Sequence, residues 1–183
     1  MRFSDIAYIL FFLPILLSGT AYAQSRYDVQ STIQRLYGAN AKVVPAQLKL
    51  TPETVARLSA SSGVAHPWNA VEALRVVRGS GTAGWAFIDN VKGKSRPITY
   101  LVCFDGEAKI LDVEILEYRE SHGGEVASDM FRAQFRGKSD EDRLLVGRDI
   151  RNISGATISV RSVTKGTKAL AALARHLMNG SNP

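Results

Sequence analysis

Four apolar runs rich in β-branched and aromatic residues stand close together in the middle of this 183-residue chain. They cover residues 74–78, 84–88, 98–104 and 109–115. Asp105-Gly106 separates the last two runs, and an Asp-Gly pair between two strand-like segments is a strong hairpin signal. The pattern therefore predicts an antiparallel meander of about four strands.

Helical patterns precede the predicted sheet. Apolar residues between Val29 and Tyr37 have helical spacing that ends at Gly38, and Thr51-Pro52 supplies a capping residue followed by a proline suited to the first helical turn. The apolar residues within 43–50 predict a further strand between these two helices.

Two more helices are expected after the sheet. In a short one, Met130, Phe131 and Phe135 share a side, and Met130 and Phe135 are assigned to the core because apolar residues at helical spacing usually pack inward. The final helix has the three- and four-residue spacing of an amphipathic helix. Its apolar face consists of Val160, Val163, Thr167, Leu170, Ala174 and Leu177. We therefore expect an α+β fold with helices packed on an antiparallel sheet.

The first 23 residues have the organisation of a secretory signal peptide. Arg2 gives a positive start, residues 6–17 are apolar apart from Pro14, and Ala21-Tyr22-Ala23 is a small-residue cleavage site. An uncleaved anchor is the alternative, but a spanning helix needs roughly 20 apolar residues. We expect cleavage after Ala23 and a periplasmic protein.

Three segments are therefore predicted: a signal peptide at 1–23, an N-terminal helix and strand segment at 24–69, and the main domain at 70–183. After cleavage, 22 basic minus 16 acidic residues leave a net charge of +6. Outside the cytosol this charge suits an acidic protein or anionic lipid, so we expect no nucleic-acid partner and leave peripheral membrane association open.

The single cysteine, Cys103, excludes an internal disulfide, a cysteine-based zinc site and an iron–sulfur cluster. The sequence also shows no metal-ligand cluster and no nucleophile with a partner His to suggest hydrolysis or group transfer. Whether the chain is an enzyme stays open.

The residues that carry chemistry are expected where the final helix begins. Gly155 permits close approach or a positive φ, Ala156 adds little bulk, and Ser154, Thr157 and Ser159 place hydroxyls at a helix N-terminus that favours an anion. Two interpretations remain: a phosphate-binding turn, or an ordinary Ser/Thr cap.

The segment Ser154-Gly155-Ala156-Thr157-Ile158-Ser159 resembles the flavinylation motif Ser/Thr-Gly-Ala-Thr-x-Ser/Thr. This motif belongs to the FMN-binding domain of extracytoplasmic subunits of the sodium-translocating NADH:quinone reductase and the ferredoxin:NAD reductase complex, and of small exported flavoproteins. The resemblance covers roughly residues 70–178 and includes the Glu- and Gly-containing turn at 118–124 and the aromatic segment at 131–138. It implies FMN as cofactor, joined through a phosphodiester to Thr157 by a flavin transferase that uses FAD.

The chain departs from this family at one position. Many relatives have an Asp six residues before the modified threonine, where this chain has Arg151, with Asp149 two residues earlier. If the transferase needs the acid in register, the flavin binds noncovalently or Asp149 acts through a longer loop. Covalent attachment to Thr157 is still expected, because the core of the motif and its setting agree.

Around the isoalloxazine ring we expect the backbone of His122, Gly123 and Gly124, which can approach closely, with Glu120 orienting this turn by accepting backbone hydrogen bonds. A solvated loop residue is an equal alternative for His122.

Lys138 and Arg148 are candidate partners of the FMN phosphate. His66 is expected to be structural or exposed, Trp85 to pack in the sheet, and Cys103 to be a small buried hydrophobe.

A flavin carries one or two electrons, and the protein tunes it through nearby hydrogen bonds and charge. The resemblance therefore implies an electron carrier that works with a membrane redox complex or a periplasmic cytochrome. The alternatives are a sensory or accessory module that binds phosphate or flavin noncovalently, and a structural protein with an empty pocket.

Overall fold

A five-stranded antiparallel sheet forms the centre of the molecule. The computed structural model describes residues 29–66, 68 and 71–180, so the predicted signal peptide lies outside the described residues. The strands are β1 (Lys42–Ala46), β2 (Glu72–Arg78), β3 (Gly81–Lys92), β4 (Pro97–Asp105) and β5 (Ile110–Tyr118), in the order β1-β2-β3-β4-β5. The predicted meander is confirmed as β2 to β5, and the strand expected within 43–50 adds a fifth strand at the edge.

The hairpin between β4 and β5 is organised by Asp105. Its Oδ1 accepts hydrogen bonds from the backbone N–H groups of Glu107 and Lys109, each at 2.9 Å. The positive φ of the turn falls at Ala108 (60°) and not at Gly106. The hairpin predicted from Asp-Gly is therefore present, but the loop over residues 106–109 is longer than a two-residue turn.

Helices lie on both faces of this sheet. They are α1 (residues 29–37), α2 (Pro52–Ser62), α3 (Asp129–Arg132) and α4 (Thr157–Met178). Ile33 of α1 belongs to the core on one face, with Leu101 of β4, whereas Leu58 of α2 and Leu170 of α4 belong to the core on the other, with Val102. Successive strand residues point to opposite faces, so the sheet is the middle of three layers.

The second helix has the ends that its sequence predicts. Thr51 Oγ1 accepts a hydrogen bond from Thr54 N at 3.2 Å, and Pro52 is the first helical residue. Gly63 ends the helix in the left-handed conformation, with φ of 66°.

Gly166 sets how closely α4 approaches the sheet. A Cβ atom at this position would overlap the Tyr100 hydroxyl and would lie 2.8 Å from Val91 Cγ1. Tyr100 is fully buried, so it has little room to move away. This contact sets the distance between α4 and the sheet, and with it the position of the N-terminus of the helix.

Met130 does not lie in the core, and the prediction that it does is wrong. The exposed fraction of Met130 is 82%, whereas Phe131 and Phe135 are buried. The centroids of the two phenylalanine rings are 5.3 Å apart. The helix covers only Asp129–Arg132 before a 3₁₀ turn follows. Phe131 and Phe135 are four positions apart and share a face, while Met130 is rotated away from it.

The segments on either side of residue 70 contact each other extensively. β1 pairs with β2 from Lys42↔Val77 to Ala46↔Ala73, and α2 packs against α4.

Among the described residues, no helix is both long enough and apolar enough to cross a membrane.

Candidate functional site

Two turns that are distant in sequence meet at one end of the sheet. The turn after β5 contains Gly123, whose φ is 85°, and the turn before α4 contains Gly155, whose φ is 79°. A Cβ atom at Gly123 would stand only 2.6 Å from Ala156 Cβ. The turns are in such close contact because glycine and alanine leave space for it.

Tyr118, at the end of β5, connects these turns through its hydroxyl group. Its Oη donates to the carbonyl oxygen of His122 at 2.6 Å and lies 3.2 Å from Ser159 Oγ. Because the single tyrosine proton is used on His122, the Ser159 hydroxyl is the donor in the second bond. Ser159 is buried, and its hydroxyl holds α4 against the turn.

The N-terminus of α4 offers backbone N–H groups without a capping side chain. Ala156 is the N-cap residue and makes no side-chain capping hydrogen bond, and Thr157 is the first helical residue. The first backbone hydrogen bond of the helix runs from Val160 N to Ala156 O at 2.9 Å. An ordinary Ser/Thr cap is therefore not what these residues form, and the arrangement suits an anion.

The loop before this helix positions the Thr157 hydroxyl. Asn152 Nδ2 donates to Thr157 Oγ1 at 3.0 Å. The backbone N–H of Arg151 donates to Gln134 Oε1 at 2.7 Å, and Asp149 Oδ2 accepts from Leu145 N at 3.0 Å. Asp149 is thus bonded within its own loop, and an amide contacts the Thr157 oxygen.

Glu120 orients a different turn from the one expected. Its Oε1 accepts from the backbone N–H groups of Ser95 (2.6 Å) and Arg96 (2.9 Å), in the loop between β3 and β4. These bonds hold the pKa of the Glu120 carboxyl below its ordinary value. Gly93 is required there, because a Cβ atom would overlap both Arg96 O and the Glu120 carboxylate. The sequence did not reveal this contact, since neither residue type nor spacing links positions 95 and 120.

Two neighbouring clefts surround these turns. The larger cleft, of about 750 Å³, is lined by residues 120–125 and by Ser154 and Gly155. The smaller cleft, of about 410 Å³, is lined by Lys94, Ser95 and residues 120–122 and 155–159. Both volumes fall in the range of small-molecule sites.

The residues predicted for the site are brought together by the fold. Nine of them line one or both clefts: Glu120, His122, Gly123, Gly124, Ser154, Gly155, Ala156, Thr157 and Ser159. His122 lies between the two clefts and is exposed. The donor set suits a phosphate group, because it combines uncapped helix N–H groups, hydroxyls and the ammonium of Lys94.

Other candidate residues lie elsewhere. Lys138 Nζ is 3.9 Å from Asp142 Oδ1, and neither Lys138 nor Arg148 is among the residues that line the two clefts. Cys103 is buried in the sheet, and burial raises the pKa of its thiol well above the ordinary value. Trp85 also packs in the core.

His66, which was expected to be structural or exposed, has a structural role. Its Nε2 lies 2.8 Å from Asp89 Oδ2, which also accepts the Tyr100 hydroxyl at 2.7 Å, and the three side chains are almost completely buried. This cluster connects the segment before β2 to β3 and β4.

Two comparisons of the sequence bear on the family and the cofactor. Residues 93–172 match the model of the FMN-binding domain family. One component of the proton-translocating ferredoxin:NAD(+) oxidoreductase complex of Clostridium ljungdahlii is 32% identical over 99 residues, which are 50% of this chain and 53% of the relative. The chain therefore spans about half the length of this curated relative.

The fold matches that of a solved structure. NqrC of Shewanella oneidensis superposes with a TM-score of 0.58 over 86% of this chain and 98% of that chain, at 16% sequence identity. The family match begins at Gly93, in the loop bound by Glu120, and continues through both turns into α4. The predicted resemblance to the FMN-binding domain family is thus confirmed over residues 93–172, and the match supports FMN as the cofactor.

Proposed function

We propose that this chain is an exported flavoprotein that carries FMN on Thr157 and exchanges electrons with a membrane redox complex or a periplasmic cytochrome. One observation supports this most directly. The Thr157 side chain lines an open cleft at the uncapped N-terminus of α4, beside the turn in which only glycine fits at position 123.

Attachment requires Thr157 Oγ1 to act as a nucleophile toward FAD that is bound to a flavin transferase. The Oγ1–P bond forms, the P–O bond of the FAD pyrophosphate breaks, AMP leaves and the hydroxyl proton is lost. Asn152 donates to Oγ1, so the hydroxyl proton is directed elsewhere and is available for removal. The uncapped N–H groups of α4 then stabilise the phosphodiester charge.

The acid nearest to the motif in sequence is not placed to remove that proton. Arg151 occupies the position where many relatives have Asp, and Asp149 is bonded to Leu145 N. We therefore assign the proton acceptor to the transferase and not to this chain.

Electron transfer is the chemistry that FMN supplies when it is bound. The role of this chain is to hold the cofactor at the protein surface, where the backbone of residues 122–124 lies at the open clefts. The relative from Clostridium belongs to an oxidoreductase complex, which supports a redox complex as partner. The net charge of +6 suits docking on an acidic surface.

A noncovalent FMN- or phosphate-binding sensory module is the second candidate. Arg151 favours it, because a transferase that requires an acid at this position would leave Thr157 unmodified. In that case the same cleft holds FMN by hydrogen bonds and charge alone.

An absorbance experiment on the exported protein, coexpressed with a flavin transferase, distinguishes these functions. The proposal predicts a flavin band that stays with the denatured chain on filtration and that bleaches under anaerobic reductant and returns with an oxidant. A band that is lost on denaturation supports the sensory module. A colourless protein contradicts both functions that use FMN and leaves only a module that binds phosphate.

A further inference from the structure

The loop between β3 and β4 lies beside the acceptor threonine. Lys94 and Ser95 line the smaller cleft together with Thr157. Lys94 is the only permanently cationic residue among the described residues that line this cleft.

In the described part of the chain no carboxylate oxygen lies within 4.0 Å of the Lys94 ammonium. Its charge still acts on Glu120, since Lys94 is one of the groups that lower the pKa of that carboxyl. Some cations outside the cleft are paired with carboxylates. Lys109 is 2.9 Å from Glu107, and Arg175 is 3.0 Å from Asp140. Because the Lys94 ammonium makes no direct ion pair with Glu120, it can still pair with an anion that enters the cleft.

Glu120 holds this loop in place. Its carboxylate accepts the N–H groups of both residues that follow Lys94, Ser95 and Arg96, at 2.6 and 2.9 Å. Gly93, on the other side of Lys94, is packed against the same carboxylate. A carboxylate bound to two backbone N–H groups restricts the backbone between residues 93 and 96, and therefore the origin of the Lys94 side chain.

We propose that the β3–β4 loop is the phosphate subsite of the FMN site, with the Lys94 ammonium pairing with the FMN phosphate and Glu120 acting as the positioning residue of the loop. This inference rests on the proposed function, since it assumes that the FMN phosphate lies at Thr157. It replaces Lys138 and Arg148, whose side chains do not line the clefts.

The first test separates the phosphate from the ring. The Thr157→Val chain is titrated with FMN and with riboflavin, which lacks the phosphate. Lys94→Ala in this background should weaken FMN binding about fivefold and leave riboflavin binding unchanged, since a pair at an exposed site contributes modestly. Lys92→Ala is the matched control, because it removes the same charge from an exposed residue of β3 that does not line either cleft.

The second test concerns Glu120. Glu120→Gln and Glu120→Ala remove the same negative charge, but only glutamine keeps an oxygen that can accept the two N–H groups. The positioning role predicts weaker FMN binding for Glu120→Ala alone, with faster amide hydrogen exchange at Ser95 and Arg96 in the apo chain. If Glu120 acted only through its charge, both variants would bind FMN more tightly and neither would change exchange.

A third measurement does not depend on affinity for free ligand. The ³¹P resonance of FMN in the flavinylated Thr157 protein should shift in Lys94→Ala and not in Lys92→Ala. The subsite would be overturned if Lys94→Ala and Lys92→Ala had the same FMN affinity and the same ³¹P resonance. It would also be overturned if Lys94→Ala lost FMN and riboflavin binding equally. Neither result would contradict the proposal that the chain carries FMN. A chain that neither gains an adduct nor binds FMN would overturn the proposed function and this inference together.

Discussion

A Cβ atom added to Gly123 would stand 2.6 Å from the Cβ of Ala156, so the two turns of the proposed FMN site can meet only where the chain has glycine at position 123. The φ of 85° at Gly123 adds a second requirement, because side chains rarely adopt it. The lack of space for a Cβ atom and the positive φ both require glycine at position 123.

Gly123→Ala should separate the turns and destabilise the protein by about 1–3 kcal/mol through overlap and backbone strain. Chemical denaturation measures this change, and FMN incorporation should fall with it. Gly124→Ala is the control, because nothing lies within 4 Å of a Cβ atom there and its φ is not positive. Equal stability of the two variants would contradict the close contact.

Tyr118→Phe removes the hydroxyl that bonds both His122 O and Ser159 Oγ. Loss of these bonds should cost about 1–2 kcal/mol of unfolding free energy and loosen residues 121–124. Amide hydrogen exchange over this turn, compared with exchange in β4, would report the local effect. If Tyr118→Phe changed the exchange rates of residues 121–124 and of β4 equally, Tyr118 would not organise the site.

Much of the fold follows from local pattern. The alternating runs of β2 to β5 and the apolar face of α4 predict these elements, because a strand or helix that buries one face must repeat its apolar residues with the matching period. The prediction failed at Met130, where a helix of only four residues is too short for periodicity to define its buried side.

The candidate site was only partly predictable, because some of its residues are placed by contacts between segments that are distant in sequence. The turns at 122–124 and 154–157 contain residue types with specific backbone and hydroxyl chemistry, so the sequence reveals them. Lys94 is an ordinary surface lysine in sequence, and Tyr118 an ordinary strand residue. Their places depend on contacts with Glu120 and Ser159 that no sequence period encodes.

The pH dependence of the β3–β4 loop should depend on Glu120. Its backbone hydrogen bonds lower the pKa of the carboxyl, so the bonds are present above the ordinary Glu pKa and are lost as pH falls through the lower folded value. The amide resonance of Ser95 should therefore titrate below the ordinary range. Glu120→Gln should abolish that titration, and a midpoint at or above the ordinary value would contradict the contact.

Gly166→Ala should destabilise the protein by about 2 kcal/mol or more, since the new Cβ meets the buried Tyr100 hydroxyl. Tyr100→Phe removes that oxygen but also the hydrogen bond to Asp89. The double variant should therefore be more stable than the sum of the single effects predicts. Strict additivity would show that the two residues do not contact each other.

Peptide mass spectrometry of the full chain, coexpressed with a flavin transferase in a host that can export it, tests the central claim most directly. The account predicts the mass of an FMN phosphodiester on the peptide that contains Thr157. The adduct should vanish in Thr157→Val and persist in Thr82→Val, the same substitution at an exposed position of β3. An unmodified Thr157 peptide in the presence of active transferase, or an adduct that persists in Thr157→Val, would contradict the account.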